Sequence, residues 1–120
     1  MRTCLVVDDS SVIRKVARRI LEGLDFQIVE AEDGEKALAM AQDRRPDLIL
    51  MDVQIPLLDG YEVTRRLKAD PALRNIPIIV VTSYALSGDE SKARAAGCNA
   101  YVSKPYSTRQ LLAKIREYVP

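Results

Sequence analysis

Histidine is absent from this chain of 120 residues. No imidazole can act within it as a general base, a metal ligand or a phosphoryl carrier. That sets aside serine–histidine hydrolases, most zinc hydrolases and phosphohistidine carriers. Cysteine is scarce as well. Cys4 falls in an apolar run and Cys98 follows Gly97 in a loop, so they suggest two reduced thiols and neither a disulfide framework nor a zinc set. An excess of charge of either sign is also missing. Eighteen Lys and Arg against seventeen Asp and Glu leave a formal net charge of +1, with no electrostatic footprint for nucleic acid or an anionic membrane. No apolar run approaches the ~18 residues needed to span a bilayer. The first such run, residues 4–7, meets two acids too soon to form the core of a signal peptide. No linker, low-complexity tract or internal repeat interrupts the chain. With 48% apolar residues, residues 1–120 are expected to form one cytoplasmic domain around a core of its own.

What is present is a regular alternation. Short apolar runs at residues 4–7, 26–30, 48–51, 78–82 and 100–103 are separated by segments with a period near 3.6. In the first helix the pattern places Val12, Ile13, Val16, Ala17, Ile20, Leu21 and Leu24 on one broad stripe. In the last it places Leu111, Leu112, Ile115, Tyr118 and Val119 together. Strand–helix alternation repeated five times predicts an α/β fold, a parallel sheet with helices on both faces. Asp59-x-x-Glu62, Ser87-x-x-Glu90 and Ser107-x-x-Gln110 have the spacing of capping boxes, and Asp33-Gly34 can open the second helix. Gly23 and Gly97 are placed to end the first and fourth helices. Asp70-Pro71 closes the third, because a residue before proline resists the helical region. The fourth helix, residues 88–96, offers only Ala93, Ala95 and Ala96 for burial, so it is expected to be weakly anchored and free to shift.

The chemistry lies at the ends of the runs. The first leads into Asp8-Asp9, the third into Asp52, the fourth ends in Thr82 and the fifth in Lys104. The second ends only in Glu30 and the Asp33 turn. Ligand sites in open α/β sheets form outside the carboxyl ends of the strands. Carboxylates crowded there raise one another's pKa, and a hard oxygen-seeking cation such as Mg²⁺ relieves the repulsion. A carboxylate can also attack phosphorus to form an acyl phosphate. Mg²⁺ and the Lys104 ammonium would offset the charge of that group, and the Thr82 hydroxyl would donate to it. Each residue alone has an ordinary reading: a helix cap, a good strand former, a solvated lysine. Their joint placement at successive strand ends is what points to a site.

These residues, Asp8-Asp9, Asp52 with Pro56 and Asp59-Gly60, Thr82, Tyr101 and Lys104-Pro105, resemble the receiver domain of bacterial two-component response regulators of the stand-alone, chemotaxis type. The resemblance covers the whole chain. It implies a flavodoxin-like, doubly wound, five-stranded parallel sheet in the order 2-1-3-4-5 with five helices. It makes Asp52 the phosphoacceptor, Asp9 a direct Mg²⁺ ligand, Asp8 a ligand mainly through water and the Gln54 carbonyl a further ligand. Thr82 and Lys104 would bind phosphoryl oxygens, and Tyr101 would turn inward on activation. The Lys104–Pro105 peptide would be cis. Ser83 and Tyr84 would control access to the phosphoryl group; Tyr84 would either obstruct hydrolytic water or point outward for partner binding, and Gln54 on the opposite lip would either orient that water or block it. Ile55 stands where methionine is frequent. Asn99-Ala100 stands where DNA-binding members that dimerise through their fourth and fifth helices often carry acids, which weakens the inference of that dimer; a monomer without direct DNA binding or membrane insertion is expected.

The implied function is a phosphorylation-controlled switch. A sensor histidine kinase or histidine phosphotransfer protein would donate to Asp52, and the altered surface would bind a downstream protein target. The chain would not be an enzyme beyond slow self-dephosphorylation. It ends at Pro120 without an effector domain, although excision from a hybrid histidine kinase or a larger regulator is an alternative. A phosphatase with an aspartate nucleophile would need a second acid near position 54, where Gln stands. A scaffold that had lost phosphoacceptor chemistry would not need the intact acid set. Arg14, Lys15, Arg18 and Arg19 on the first helix read as a solvated face partly paired to Glu22, or else as a docking surface for the donor.

Overall fold

Each apolar run becomes a strand: β1 (Arg2–Val7), β2 (Phe26–Ala31), β3 (Leu48–Asp52), β4 (Ile78–Thr82) and β5 (Ala100–Ser103). Side chains alternate between the faces of a strand. A run apolar at nearly every position must therefore be covered on both faces. The cover comes from α1 (Ser11–Glu22), α2 (Gly34–Arg44), α3 (Gly60–Ala69), α4 (Asp89–Ala96) and α5 (Thr108–Tyr118). The computed structural model describes residues 2–82, 89–104 and 106–119. Its sheet is parallel throughout, in the order β2-β1-β3-β4-β5, the flavodoxin-like winding expected.

Two cores follow from the alternation. Leu5, Val7, Ile49, Met51, Ile78 and Val80 face a layer built with Ala37 and Ala41 of α2, Val63 and Leu67 of α3 and Ala93 of α4. Cys4, Val6, Leu48, Leu50, Ile79 and Val81 face the opposite layer, closed by Ala17 and Leu21 of α1 and by Leu111 and Ile115 of α5. Both thiols are free and buried, and burial pushes Cys4 far above the ordinary thiol range.

The helix starts follow the capping chemistry. Asp33 accepts from the Lys36 N–H and Asp59 from the Glu62 N–H. Ser107 and Gln110 complete a reciprocal capping box. The Ser87 cap lies outside the described residues. α3 stops at Asp70, whose backbone is extended.

Two expectations need correction. The α1 stripe is narrower than its periodicity suggests. Val12 and Val16 are 66% and 47% exposed, while Ala17 and Leu21 make the fully buried contact. A helix lying on a sheet buries only an arc of its surface, and Val12 and Val16 lie outside it. In α4, Ala95 is exposed, which leaves Ala93 and Ala96 as the buried anchors. At ~0.8 kcal/mol per buried CH₂, two methyl groups hold a helix far less firmly than a leucine pair does. Gly23 caps α1 as expected, with an ordinary right-handed backbone. The left-handed residue in that turn is Asp25, at φ 62°.

Candidate functional site

The register of the sheet lines up the strand ends. Val7 pairs with Met51 and Asp52 with Val81, so Asp8 emerges beside Asp52. Thr82 follows one residue beyond Val81 and pairs with Ser103, and Lys104 follows Ser103. The strand order turns back between β1 and β3, the switch point where α/β sheets open a crevice. One carboxylate oxygen from each of Asp8, Asp9 and Asp52 falls within 4.8 Å of the others. Asp8 and Asp52 are buried, whereas Asp9 faces solvent.

Lys104 reaches back across β3. Its Nζ donates to Asp8 Oδ2 at 2.8 Å and stands 3.7 Å from Asp52 Oδ2. Burial raises the Asp52 pKa above the ordinary aspartate value. The Lys104 charge opposes this rise, and Asp8 and Asp9 add to it. Burial works against the Lys104 ammonium, but its hydrogen bond to Asp8 and the charges of Asp52 and Asp8 prevail and raise its pKa. The site is thus a buried acid held at an energetic disadvantage, with one ammonium shared between two carboxylates. Three hard oxygen donors at this spacing fit a divalent cation such as Mg²⁺. Asp8, Asp9 and Asp52 could hold it, and such an ion would relieve the repulsion that Asp8 and Asp9 add to the effect of burial on Asp52.

The other expected residues divide between the site and its surroundings. Thr82 is fully buried at the end of β4. Gln54 is exposed, and its N–H makes only a long bond of 3.4 Å to Asp52 Oδ1. Tyr101 is half-buried inside β5, paired in register with Val80, and so lies away from the carboxylates. Ser83, Tyr84 and Pro105, with the roles expected of them, lie outside the described residues.

The structure adds residues that sequence reasoning left aside. Tyr106 joins Asp8, Asp52, Lys104 and Ile13 around a cavity of about 20 Å³, room for about one water. Burial raises its phenol pKa. A Cβ on Gly60 would sit 2.3 Å from the Asp52 carbonyl oxygen, and a Cβ on Gly34 would sit 2.2 Å from that of Leu58. The two glycines let α3 and α2 close on the loop that follows Asp52. That loop also holds Leu57 at φ 72° and 68% exposed. The Asp-Gly pairs at 33–34 and 59–60 were the available signal for this close approach.

Arg14 and Arg18 also differ from expectation. Both converge on Glu30, with shortest distances of 2.8 Å and 2.5 Å. The Arg18–Glu22 pair that the sequence suggested is present but longer, at 3.8 Å.

Comparison with known proteins gives a consistent picture. The profile of the response regulator receiver domain matches residues 4–116. The polar-differentiation response regulator DivK of Brucella anthropi is 41% identical over 118 residues, covering 98% of this chain and 96% of DivK. The receiver domain of a sensor histidine kinase from Pseudomonas aeruginosa PAO1, solved with a magnesium ion coordinated in its active-site cleft, superposes with a TM-score of 0.90. It is 35% identical, over 98% of this chain and 97% of that one. The chemotaxis response regulator CheY4 of Vibrio cholerae superposes at 0.91 with 29% identity, covering 98% of each chain.

Proposed function

The chain belongs to the response regulator receiver domain family, and from that membership we propose that it is a switch whose phosphoacceptor is Asp52. The observation that carries the assignment is the convergence of Asp8, Asp9 and Asp52 within 4.8 Å, with the Lys104 ammonium beside them. Asp52 lies at the carboxyl end of the central strand, between the other two acids and Thr82. The whole span 1–120 acts as one receiver domain.

An Asp52 carboxylate oxygen attacks the phosphorus of a phosphohistidine. The new O–P bond forms as the P–N bond breaks, and the electron pair leaves with the imidazole nitrogen. These 120 residues contain no histidine, so the donor imidazole lies outside them, on a sensor histidine kinase or a histidine phosphotransfer protein. Lys104 leaves Asp8 to meet a phosphoryl oxygen, and Thr82 donates its hydroxyl to another. Mg²⁺, held by Asp8, Asp9 and Asp52 with the Gln54 carbonyl, would supply charge neutralisation at the transferring group.

The output surface is formed by α4, β5 and α5. α4 rests on two alanines, and a cleft of about 450 Å³ between β5 and α5 is lined by Tyr101, Val102, Ser103, Gln110, Ala113 and Lys114. Inward packing of Tyr101 would reshape this surface for a downstream protein. Among the described residues no helix is long and apolar enough to cross a membrane. The likeness to a kinase-borne receiver supports a second setting for the same chemistry, as one module of a longer regulator.

Beryllofluoride mimics a phosphoryl group on a carboxylate and tests the reading. Binding that requires Mg²⁺, is lost in Asp52→Asn and changes amide exchange across α4 is the expected result. Binding that ignores the Asp52 substitution would remove that residue from the mechanism.

A further inference from the structure

The four basic residues of α1 do not form one face. Lys15 and Arg19 are exposed, whereas Arg14 and Arg18 share the Glu30 carboxylate at the end of β2. Arg14 Nε donates to Glu30 Oε1 at 2.8 Å, and Arg18 Nε and Nη2 donate to Oε2 at 3.1 Å and 2.5 Å. Arg18 adds a longer ion pair to Glu22 at 3.8 Å, whereas Arg14 reaches into the acid site. Its Nη1 donates to the backbone carbonyl of Asp8 at 2.7 Å, and its side chain is 14% exposed against 37% for Arg18.

Asp8 is consequently held at every polar atom. Its N–H donates to the Ala31 carbonyl at 3.1 Å. Its carboxylate accepts from the Ser10 N–H at 2.9 Å and from Lys104 at 2.8 Å. Its carbonyl belongs to the peptide plane shared with Asp9, and a peptide plane moves as a unit. Fixing that oxygen fixes the direction in which the Asp9 backbone leaves. Among the described residues, exposed Asp9 has no comparable anchor of its own.

We propose that Arg14 is a positioning residue for the cation site. It holds the Asp8–Asp9 peptide so that both carboxylates face Asp52, and Glu30 orients its guanidinium. Arg14 touches neither the cation nor the reacting atoms. The inference rests on the reading of the acid cluster as a Mg²⁺ site, and the sign of the effect makes it testable. Removing a positive charge near three carboxylates would by itself tighten cation binding. Loss of positioning would weaken it.

The test is Mg²⁺ titration of the whole chain by calorimetry, without phosphodonor. Wild type, Arg14→Met, Arg18→Met and Asp9→Ala are compared, each with its melting temperature in the absence of metal. Arg14→Met is expected to raise the Mg²⁺ dissociation constant roughly tenfold, the scale at which partners of metal ligands act. Arg18→Met removes the same charge and also a Glu30 partner but leaves the Asp8 carbonyl alone, so its affinity should equal or exceed that of wild type. Should Arg14→Met fail to fold, Arg14→Gln is too short to reach both acceptors and should weaken binding likewise. Arg14 variants that bind Mg²⁺ as tightly as wild type, or an Arg18→Met loss of equal size, would overturn the proposal. Wild-type titration indifferent to Asp9→Ala has a different signature and would remove the cation site itself, and the proposal with it.

Discussion

Lys104 is committed to Asp8 more closely than to Asp52, at 2.8 Å against 3.7 Å. The ammonium proposed to meet a phosphoryl group is thus already engaged by a neighbouring carboxylate. It holds together the strand ends of β1, β3 and β5 while it waits.

Lys104→Met should therefore have two effects of opposite sense. Without metal it leaves buried Asp8 without its cation, which is expected to cost about 3 kcal/mol, the lower end of the range for a broken buried pair because the site opens to solvent. With the competing charge gone, Mg²⁺ should bind more tightly. Urea denaturation and Mg²⁺ titration of the same variant check both, and weaker metal binding would contradict the electrostatic account.

The pH dependence at Asp52 has a definite sign. Its folded pKa is raised, chiefly by burial, so the folded state holds the proton more tightly than the unfolded chain does. The ionised carboxylate therefore destabilises the fold above its folded pKa, and this penalty disappears below about 3.8, where both states are protonated. Asp52→Asn should be more stable than wild type at pH 7, with the gap closing below that value. Denaturation midpoints at pH 7 and pH 3.5 measure it.

Glu30 has the opposite sign. Hydrogen bonding from Arg18 lowers its pKa most, with Arg14 adding to the effect. Its stabilisation is full above the unfolded value near 4.5 and is lost as pH falls through the lower folded value. Glu30→Gln should cost roughly 0.5–1.5 kcal/mol at pH 7, since the partly exposed carboxylate is screened by solvent. The cost should vanish in stronger acid. A constant difference from pH 7 to pH 3 would rule out the ion pairs as its source.

Two glycine substitutions should part company. Gly60→Ala drives a Cβ into the Asp52–Val53 backbone and is expected to cost about 1–3 kcal/mol or more, as other overpacked sites do. Gly23→Ala meets only the Ile20 carbonyl oxygen at 3.4 Å and the Arg19 carbonyl oxygen at 4.0 Å, with a helical φ. It should be neutral or stabilising by about 0.4–1 kcal/mol. Thermal unfolding of the two variants side by side decides this.

The strands and the acid cluster were legible because both are written locally. An apolar run ending in Asp or Lys states where a side chain leaves the sheet, and parallel register does the rest. Capping at Asp33, Asp59 and Ser107 was legible for the same reason. The Arg14–Glu30 and Arg18–Glu30 pairs were not, since they join residues 16 and 12 positions apart whose proximity depends on how α1 lies on β2. Local spacing pointed to Glu22 instead. Nor could periodicity reveal that Val12 and Val16 fall outside the buried arc, or that Leu57 takes a left-handed backbone.

At the far end of the sheet, Lys68 Nζ donates to the carbonyls of Arg74 and Ile76 and to Asn99 Oδ1. Asn99 Oδ1 also accepts from the Ile78 N–H, and the Asn99 carbonyl accepts from Tyr118 Oη. One asparagine thereby fastens α3, β4 and α5 just behind Gly97, whose φ of 104° ends α4. The foot of α4 is pinned while its shaft rests on two methyl groups. A shift of that helix is therefore expected to be a swing with residues 97–99 as fulcrum, largest at its Asp89 end, as a lever moves most at the tip farthest from its fulcrum.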